Sequence, residues 1–431
     1  MSSILTNNGA MIALQTLQQI NKNLGMTQSE ISTGKSVANA KDNAAVWAIS
    51  KQMESDVKGF KSIQESLALG ESTVAVARNA AETVTELLTD IKGKIVASQE
   101  ENVDRAKIQT DIAALRDQIG SVVGAAQFNG LNLLGNTDLE VDSGNVDVLS
   151  SLDRSGSGVA ASNISVGKQD LGTGEASAGT VGLDQSVNSG GVAVGATAEF
   201  VTFDGVGADD ALVAGASFLV TGGAGANFEG DVSGDAYDFS EDVVYVARDG
   251  DTLTDVVNNM VERLNYQALK DGLEITFAAN ADNAGRIDFT NNYDEAISDS
   301  NSVVEQADIA DQATLESEAD GTVGGGLELL DDFNVTSDDG AAAALEAIEG
   351  LIQTSIDSAA AFGSAQGRIE TQSDFVSKLT DSLTSGIGAL VDANMEETSA
   401  RLQALQVQQQ LATQSLSIAN QAPQSILSLF R

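Results

Sequence analysis

The chain has 431 residues, which is enough for several domains and a sizeable core. It contains no Cys and no His, so it has no disulfide framework, no thiolate or imidazole catalyst and no ordinary zinc site. Its formal net charge of −41 argues against nucleic-acid binding, because phosphates require Lys and Arg. We therefore expect no catalytic residue, no cofactor and no metal site.

Charge and glycine are distributed unevenly along the chain. Residues 136–340 hold 40 of the 63 acidic residues, 6 of the 22 basic residues and 27 of the 42 Gly. The two ends carry little net charge, and the only Pro is Pro423. This pattern predicts two arms that can form long helices, separated by an acidic, glycine-rich insert.

A heptad seam begins at Val46 and continues to Ile95, with apolar residues in alternating steps of three and four. Only Asp56 and Gly70 interrupt it, so the sequence predicts one helix about 75 Å long. The seam residues expected to pack the helix against a partner include Phe60, Leu67, Leu88 and Ile91.

Two further stripes complete a helical bundle. A polar turn at residues 100–104 precedes a shorter seam from Ile108 to Val122. In the C-terminal arm, apolar residues from Leu345 to Val376 supply a matching stripe. We interpret these stripes as the core of an antiparallel bundle to which both ends of the chain contribute.

The extreme termini carry thinner stripes of smaller residues, interspersed with Gln and Asn. An amphipathic helix of this kind has little to stabilise it alone in water, so we expect the two ends to pair and to bind further copies. The residues predicted to pack or assemble are Leu17, Ile20, Leu24, Ile31, Leu402, Leu405, Leu411, Leu416 and Ile418.

Residues 402–430 are uncharged, yet the segment is not a predicted membrane span. Fourteen of its 29 residues are Gln, Ser, Thr or Asn, which would be costly to bury in lipid. No basic and apolar leader precedes Lys22 either. We expect no membrane insertion and a C-terminal segment that packs against protein.

The insert has the pattern of an α+β fold. Strands are predicted at residues 199–203, 217–220 and 243–246, followed by a helix that Thr252 caps. Two more strands are predicted at residues 273–278 and 286–290.

Three features of the insert are candidates for chemical sites. The acid pairs 209–210, 331–332 and 338–339 could serve a glycosidase or a carbohydrate-binding adhesin, but chance pairs on a solvated acidic surface are the better reading. Residues 294–301 lack the Gly and terminal Glu of a helix-loop-helix calcium site. Glycines 324–326 follow no strand, so they indicate a hinge and not a phosphate-binding loop.

Motifs at both ends resemble those of bacterial flagellins. Residues 31–35 (ISTGK) and 40–45 (AKDNAA) resemble the N-terminal signature, and residues 127–130 (QFNG) resemble the motif that closes the second N-terminal helix. Residues 390–395 (LVDANM) and 417–429 (SIANQAPQSILSL) resemble the C-terminal signature. With the glutamine-rich run at residues 406–410, the chain looks most similar to alphaproteobacterial flagellins.

The resemblance implies a mainly α fold, in which both arms form a long antiparallel coiled-coil bundle and a β-rich α+β domain is inserted. It implies a filament subunit secreted unfolded through the flagellar export channel; the alternative is a hook–filament junction protein. The implied partners are further copies, hook-associated and cap proteins, and an export chaperone on the C-terminal arm. The implied domains are an N-terminal inner-tube helix (1–45), a long-helix domain with a β region after Gly130 (46–180 and 341–390), an outer domain (181–340) and a C-terminal inner-tube helix (391–431).

One segment departs from the family pattern. Flagellins that activate the vertebrate toll-like receptor carry an arginine-rich patch on the long N-terminal helix, where this chain has residues 90–94 (DIKGK). Asp90 reverses a charge and Gly93 weakens the helix, while Ile91, Lys92 and Lys94 complete the segment. We therefore expect at most weak binding to that receptor; the plainer alternative is an exposed helix surface with no partner.

Overall fold

The computed structural model describes residues 7–155, 158–181, 183–185, 191–203, 207, 210–222, 228–230, 236–300, 304–306 and 320–429. These residues form two compact units. Unit 1 comprises the described residues within Met1–Glu65, Ser151–Ala160 and Ser373–Arg431, and unit 2 those within Ser66–Ser150 and Ala161–Gln372.

Helix α1 (Asn8–Thr33) has defined signals at both ends. The Asn7 side chain accepts a hydrogen bond from the Ala10 amide at 3.1 Å, which satisfies one of the free donors of the first turn. The helix ends at Gly34, whose φ of 69° is the left-handed conformation that glycine adopts without strain.

The long helices agree with the predicted seams. Helix α2 covers Ala44–Ser98 and helix α3 covers Arg105–Ala125, starting at Asp104, which caps the Lys107 amide through its side chain. In the C-terminal arm, helix α5 runs over Asp338–Val391 and helix α6 over Met395–Leu429. The predicted mainly α fold with long helices from both arms is confirmed.

The seam of α2 is fully buried in its second half. Its core consists of Ile63, Leu67, Val74, Ala77, Ala81, Val84, Leu88, Ile91 and Ile95. Ile49, which the heptad pattern placed in the seam, is exposed, and Ser50 is buried instead. Adjacent residues lie about 100° apart around a helix, so the covered face of α2 near its start is not the face that the heptad pattern predicts.

Small polar residues contribute to the interface between α2 and α5 in unit 2. The Ser355 hydroxyl lies 3.2 Å from the Ala81 carbonyl oxygen and 2.9 Å from the Thr85 hydroxyl, and Lys92 forms an ion pair with Glu349. Because residue numbers rise along one helix as they fall along the other, the two helices are antiparallel, as predicted.

Two hairpins follow α3. Strands β1 (Gln127–Phe128) and β2 (Leu131–Asn132) are joined by Asn129 and Gly130, whose φ angles of 52° and 84° are those of a tight hairpin turn. Strands β3 (Asn145–Ser155) and β4 (Gly158–Gly167) form the longer hairpin.

Gly70, which interrupts the apolar seam, has a packing role in unit 2. A Cβ at this position would lie only 2.6 Å from Val148 Cγ1 of β3. A side chain here would collide with the hairpin, so the glycine allows β3 to approach α2 closely.

The insert contains short antiparallel strands and helix α4 (Leu253–Lys270). The strands are β5 (Leu183–Asp184), β6 (Thr197–Thr202), β7 (Ser217–Val220), β8 (Phe228–Gly230), β9 (Ala236–Tyr237), β10 (Val243–Val246), β11 (Ile275–Ala279), β12 (Arg286–Asn291), β13 (Ile297–Ser300) and β14 (Val304–Gln306). Among the described residues, the sheet orders are β10-β7-β14-β5, β11-β12-β6 and β13-β8-β9.

The predicted α+β pattern of the insert is confirmed. Thr252 and Asp255 form a capping box that starts α4. Strand β11 begins at Ile275 and not at Leu273, because the Leu273 amide donates to the Ala268 carbonyl oxygen at 2.8 Å and closes the end of the helix.

Glycines 324–326 lie where two segments of the chain cross in close contact, so the predicted hinge is wrong. A Cβ on Gly325 would lie 2.1 Å from the Gly172 carbonyl carbon, and one on Gly326 would lie 2.0 Å from the Asp170 carbonyl oxygen. Glycine is required here because two backbones touch.

Candidate assembly surface

Helices α1 and α6 of unit 1 pack along each other. Amide side chains link them at two levels: Asn7 Nδ2 donates to the Ala419 carbonyl oxygen at 2.7 Å, and Gln409 Nε2 donates to Asn21 Oδ1 at 2.7 Å. These hydrogen bonds are made by uncharged polar side chains of the kind that would be costly to bury in a membrane. Within the described residues, no helix has both the length and the hydropathy needed to cross a membrane.

The inner face, between the two helices, contains most of the predicted terminal residues. In α1 it is completed by Thr27, which is buried, and in α6 by the buried Leu405 and Ala412. The half-buried members of this face are Leu17, Ile20, Leu24, Ile31, Leu402 and Leu416. Partial burial of so many apolar residues is what a pair of thin helices can achieve without further partners.

The outer face of α6 contains the remaining two predicted residues. Leu411 is 56% exposed and Ile418 is 67% exposed. Val407 precedes Leu411 by four residues and is also exposed, so the three side chains form one apolar stripe directed away from α1.

Helix α1 also has exposed apolar residues on its outer face, which the predicted stripes did not include. Met11, Ile12, Leu14 and Met26 are all exposed. Positions 11 and 26 are about 60° apart around a helix that turns roughly 100° per residue, which puts both opposite the inner face. The signal was present in the sequence, because apolar residues beyond those needed for one stripe indicate a second contact.

The other predicted packing residues lie on α2. Leu67, Leu88 and Ile91 have no exposed surface, and Phe60 is half-buried. Leu67, Leu88 and Ile91 therefore stabilise the folded chain and are not available to bind another copy.

The proposed receptor-facing segment on α2 has its basic side chains engaged. Lys92 pairs with Glu349, and Lys94 Nζ lies 2.5 Å from Asp111 Oδ2. Asp90 and Gly93 are exposed, and Ile91 points into the core. The segment thus presents an acid to solvent, and its lysines bind acids of the same chain.

A buried polar network centres on Arg248 in the insert. Its guanidinium donates from Nε to Asp170 Oδ2 at 3.1 Å and from Nη2 to the Gly324 carbonyl oxygen at 2.9 Å. The Tyr245 hydroxyl donates to Asp251 Oδ2 at 2.5 Å, and burial raises the pKa of Tyr245 well above its ordinary value. A phenol that stays protonated and an arginine that stays charged suit a structural network better than proton transfer.

A second arginine, Arg263, also lies against the Tyr245 ring. Arg263 donates to the Val244 carbonyl oxygen at 2.9 Å and pairs with Glu328. Burial lowers the pKa of Arg263 to about 10, so it remains protonated at neutral pH. Both guanidinium groups lie within 6 Å of the ring centroid and stabilise it by cation–π attraction.

Two of the described acids from the predicted pairs form ion pairs with arginines. Asp331 is half-buried in an ion pair with Arg116, and Asp338 pairs with Arg105, so the expected simple solvated surface is wrong for Asp331. The two acids keep these positions because arginines of α3 bind them. Asp209 and Asn301, which belong to the other weighed motifs, lie outside the described residues.

Residues Glu175, Glu241, Asp242, Glu328 and Asp332 line a cavity of 340 Å³ in the insert. Over the described part of the chain, no three acidic side chains are grouped so as to hold a metal ion. Arg263 also lines the cavity and neutralises part of its charge.

Comparison with known proteins identifies the family. The model of the bacterial flagellin N-terminal helical region matches residues 4–138, and that of the C-terminal helical region matches residues 345–430. Flagellin A of Rhizobium meliloti is 37% identical and flagellin B of that organism is 38% identical, each over 100% of both chains. The chain belongs to the flagellin family.

Flagellins are structural subunits of the extracellular flagellar filament, and the chain is accordingly a filament protein and not an enzyme. The predicted resemblance to alphaproteobacterial flagellins is confirmed. A flagellar hook-associated protein 3 from Legionella pneumophila is 12% identical, with a TM-score of 0.34 over 79% of this chain and 98% of that chain. A likeness this low gives no support to the alternative junction function.

Proposed function

We propose that the subunits of this filament are joined through the outer faces of α1 and α6. The observation that carries the proposal is the exposed apolar stripe of Val407, Leu411 and Ile418, on a helix segment without a charged residue. Burying apolar surface stabilises a contact by about 25 cal/mol per Å². An uncharged stripe can be buried without removing a charge from water.

The inner and outer faces have different roles in this proposal. Leu17, Ile20, Leu24, Ile31, Leu402, Leu405 and Leu416 hold the two terminal helices together within one subunit. Leu411 and Ile418 bind the next subunit. Phe60, Leu67, Leu88 and Ile91 give the long helices the rigidity on which the contact depends.

The proposal extends to the layout of the filament. Residues 1–45 and 391–431 form its inner tube, residues 46–180 and 341–390 form the surrounding long-helix layer, and residues 181–340 project outward. The charge distribution supports this layout, since the balance of −34 in residues 136–340 favours a position where water and salt can screen it.

A matched pair of substitutions tests the assembly surface. Val407→Asp places a carboxylate on the outer stripe, and Val194→Asp makes the same change at a site in the insert of nearly equal exposure, 55% against 56%. We expect Val407→Asp to abolish filament growth and Val194→Asp to leave it unchanged. Sedimentation of polymerised protein and electron microscopy of the pellet measure both.

Circular dichroism of the monomers provides the control. Both variants should keep the helical content of the native chain, because neither side chain is buried in the monomer. Normal filaments from Val407→Asp would exclude the outer stripe as the assembly contact.

We propose two further partners in the secreting cell. An export chaperone binds the C-terminal arm, whose uncharged apolar stripe would otherwise join copies before secretion, and cap and hook-associated proteins bind the terminal helices at the ends of the filament. Co-purification of the full chain with a candidate chaperone tests the first, with Val407→Asp expected to weaken the complex.

The last proposal concerns a host receptor. With Asp90 exposed and both Lys92 and Lys94 bound to acids of the same chain, the segment lacks the basic surface that the arginine-rich patch of activating flagellins presents. We expect purified monomer to be a poor agonist in cells that express the toll-like receptor for flagellin. Strong activation at the concentrations of potent agonists would contradict this.

A further inference from the structure

The Met residues that the structure describes differ sharply in their exposure to solvent. Met260 has no exposed surface in the core of the insert, whereas Met11 is 60% exposed and Met26 is 53% exposed on the outer face of α1. Met395, at the first position of α6, is 44% exposed. A thioether reacts with oxidants more readily the more it is exposed to solvent, so Met11 and Met26 are expected to be the most reactive of the described Met residues.

Oxidation would change the chemical character of that face. A peroxide transfers one oxygen atom to the thioether sulfur: the O–O bond breaks, an S–O bond forms, the sulfur loses two electrons and the peroxide is reduced to water. The product is a polar sulfoxide in place of a flexible apolar side chain. Met11 and Met26 lie about 22 Å apart along the helix axis at roughly 1.5 Å per residue, so two sulfoxides would alter most of its length.

We propose that Met11 and Met26 form an oxidation-sensitive site that controls whether a free subunit can join the filament. The inference rests on the proposed assembly role of the outer faces. A peroxide-class oxidant converts the pair to sulfoxides in the monomer and prevents its incorporation, because a polar group must then be buried in the contact. In an assembled filament the same sulfurs are covered by a neighbouring subunit and react slowly.

The test begins with the native full chain. Monomer is treated with hydrogen peroxide, and the extent of oxidation at each Met is measured by peptide mass spectrometry. We expect Met11 and Met26 to react at least about tenfold faster than Met260, because only the first two are accessible to solvent. The treated monomer is then supplied to short filament seeds, and the pellet and supernatant are analysed separately.

Subunits in the pellet should be depleted of sulfoxide at positions 11 and 26 relative to the supernatant, with no such difference at Met395. Equal sulfoxide content at 11 and 26 in pellet and supernatant would overturn the inference. This comparison needs no variant, so a folding defect cannot obscure it. Pre-formed filaments exposed to the same peroxide should be protected at both positions.

A variant gives an independent test. Met11→Leu combined with Met26→Leu removes both sulfurs and keeps the face apolar, so the assembly rate of the treated double variant should equal that of the untreated double variant. Met395→Leu is the control and should remain sensitive. Equal loss of assembly by the double variant and the native chain would place the sensitive site elsewhere. Normal assembly of untreated Val407→Asp would instead count against the proposed assembly surface.

Discussion

The paired terminal helices and the insert bury their apolar residues to very different extents. Between α1 and α6, most inner-face residues are only half-buried, and an apolar stripe remains exposed on the outer side. In the insert, Phe200, Phe277 and Phe289 have almost no exposed surface, and the rings of Phe200 and Phe277 meet edge to face at 4.9 Å. The helix pair therefore leaves apolar surface exposed, whereas the insert buries its apolar residues in a core.

The difference separates stability from assembly. A region with a closed aromatic core can fold without a partner, while in the proposed assembly two thin helices with exposed apolar stripes are stabilised mainly by contacts with other copies. Substitutions in the helix pair should therefore act on polymerisation, and substitutions in the insert should act on unfolding of the monomer.

The largest effect is expected at the inner face. Leu405→Asp buries a carboxylate between α1 and α6, which costs several kcal/mol and separates the helices. We expect complete loss of filaments together with a measurable loss of helical circular dichroism in the monomer. Because Val407→Asp should lose filaments without losing helicity, identical spectra for the two variants would remove the distinction between inner and outer faces.

The next largest effect is expected in the insert. Phe289→Ala leaves a cavity in the aromatic core and should lower the free energy of unfolding of the insert by about 3–5 kcal/mol. Phe375→Ala, at a 56% exposed position of α5, should change it by less than about 0.5 kcal/mol. Chemical denaturation followed by tyrosine fluorescence measures both, and equal effects would mean that the aromatic core contributes little.

Sequence patterns predicted the helices because long seams and caps act locally. The Ile63-to-Ile95 seam and the Thr252 cap are both readable from residue spacing. The pattern could not separate Leu405 from Leu411, since which side of a thin helix meets its partner depends on the partner. Nor could it show that Gly325 touches Gly172, because that contact joins segments 153 residues apart.

Two glycines on α2 should respond in opposite directions to the same substitution. Gly70→Ala would collide with Val148 and is expected to lower the stability of unit 2 by about 1–3 kcal/mol. Gly93 has no atom within 4 Å of a Cβ position, so Gly93→Ala should raise stability by about 1 kcal/mol through helix propensity alone. Thermal unfolding of both variants tests this, and a stabilising Gly70→Ala would show that the hairpin can move aside.

The smallest effect concerns Glu262 on α4, which lies against Gly350 of α5. Its Oε1 is buried without a hydrogen-bond partner among the described residues, and burial raises the pKa of the carboxyl. A raised pKa means that the folded state holds the proton more tightly than the unfolded chain, so this group lowers stability as pH rises through that pKa.

Glu262→Gln should therefore stabilise the chain by about 1 kcal/mol at pH 7, and the gain should disappear as pH falls and the native carboxyl becomes protonated. Glu346 is an exposed acid that lines, together with Glu262 and Gly350, a cavity of 240 Å³, and Glu346→Gln should have no effect. Denaturation curves at pH 7 and at pH 4 measure the stabilisation by Glu262→Gln. A larger stabilisation at pH 4 than at pH 7 would contradict the prediction.

The buried arginines of the insert also determine how proteases meet the chain. Between residues 168 and 340, trypsin can cut only after Lys168, Arg248, Arg263, Lys270 and Arg286, and each of these side chains is less than a third exposed and bound to an acid. Cleavage there requires the region to open first, so the digestion rate reports the equilibrium between closed and open states. The acidic insert of a secreted protein is thus resistant, while closed, to proteases that cut after Lys and Arg.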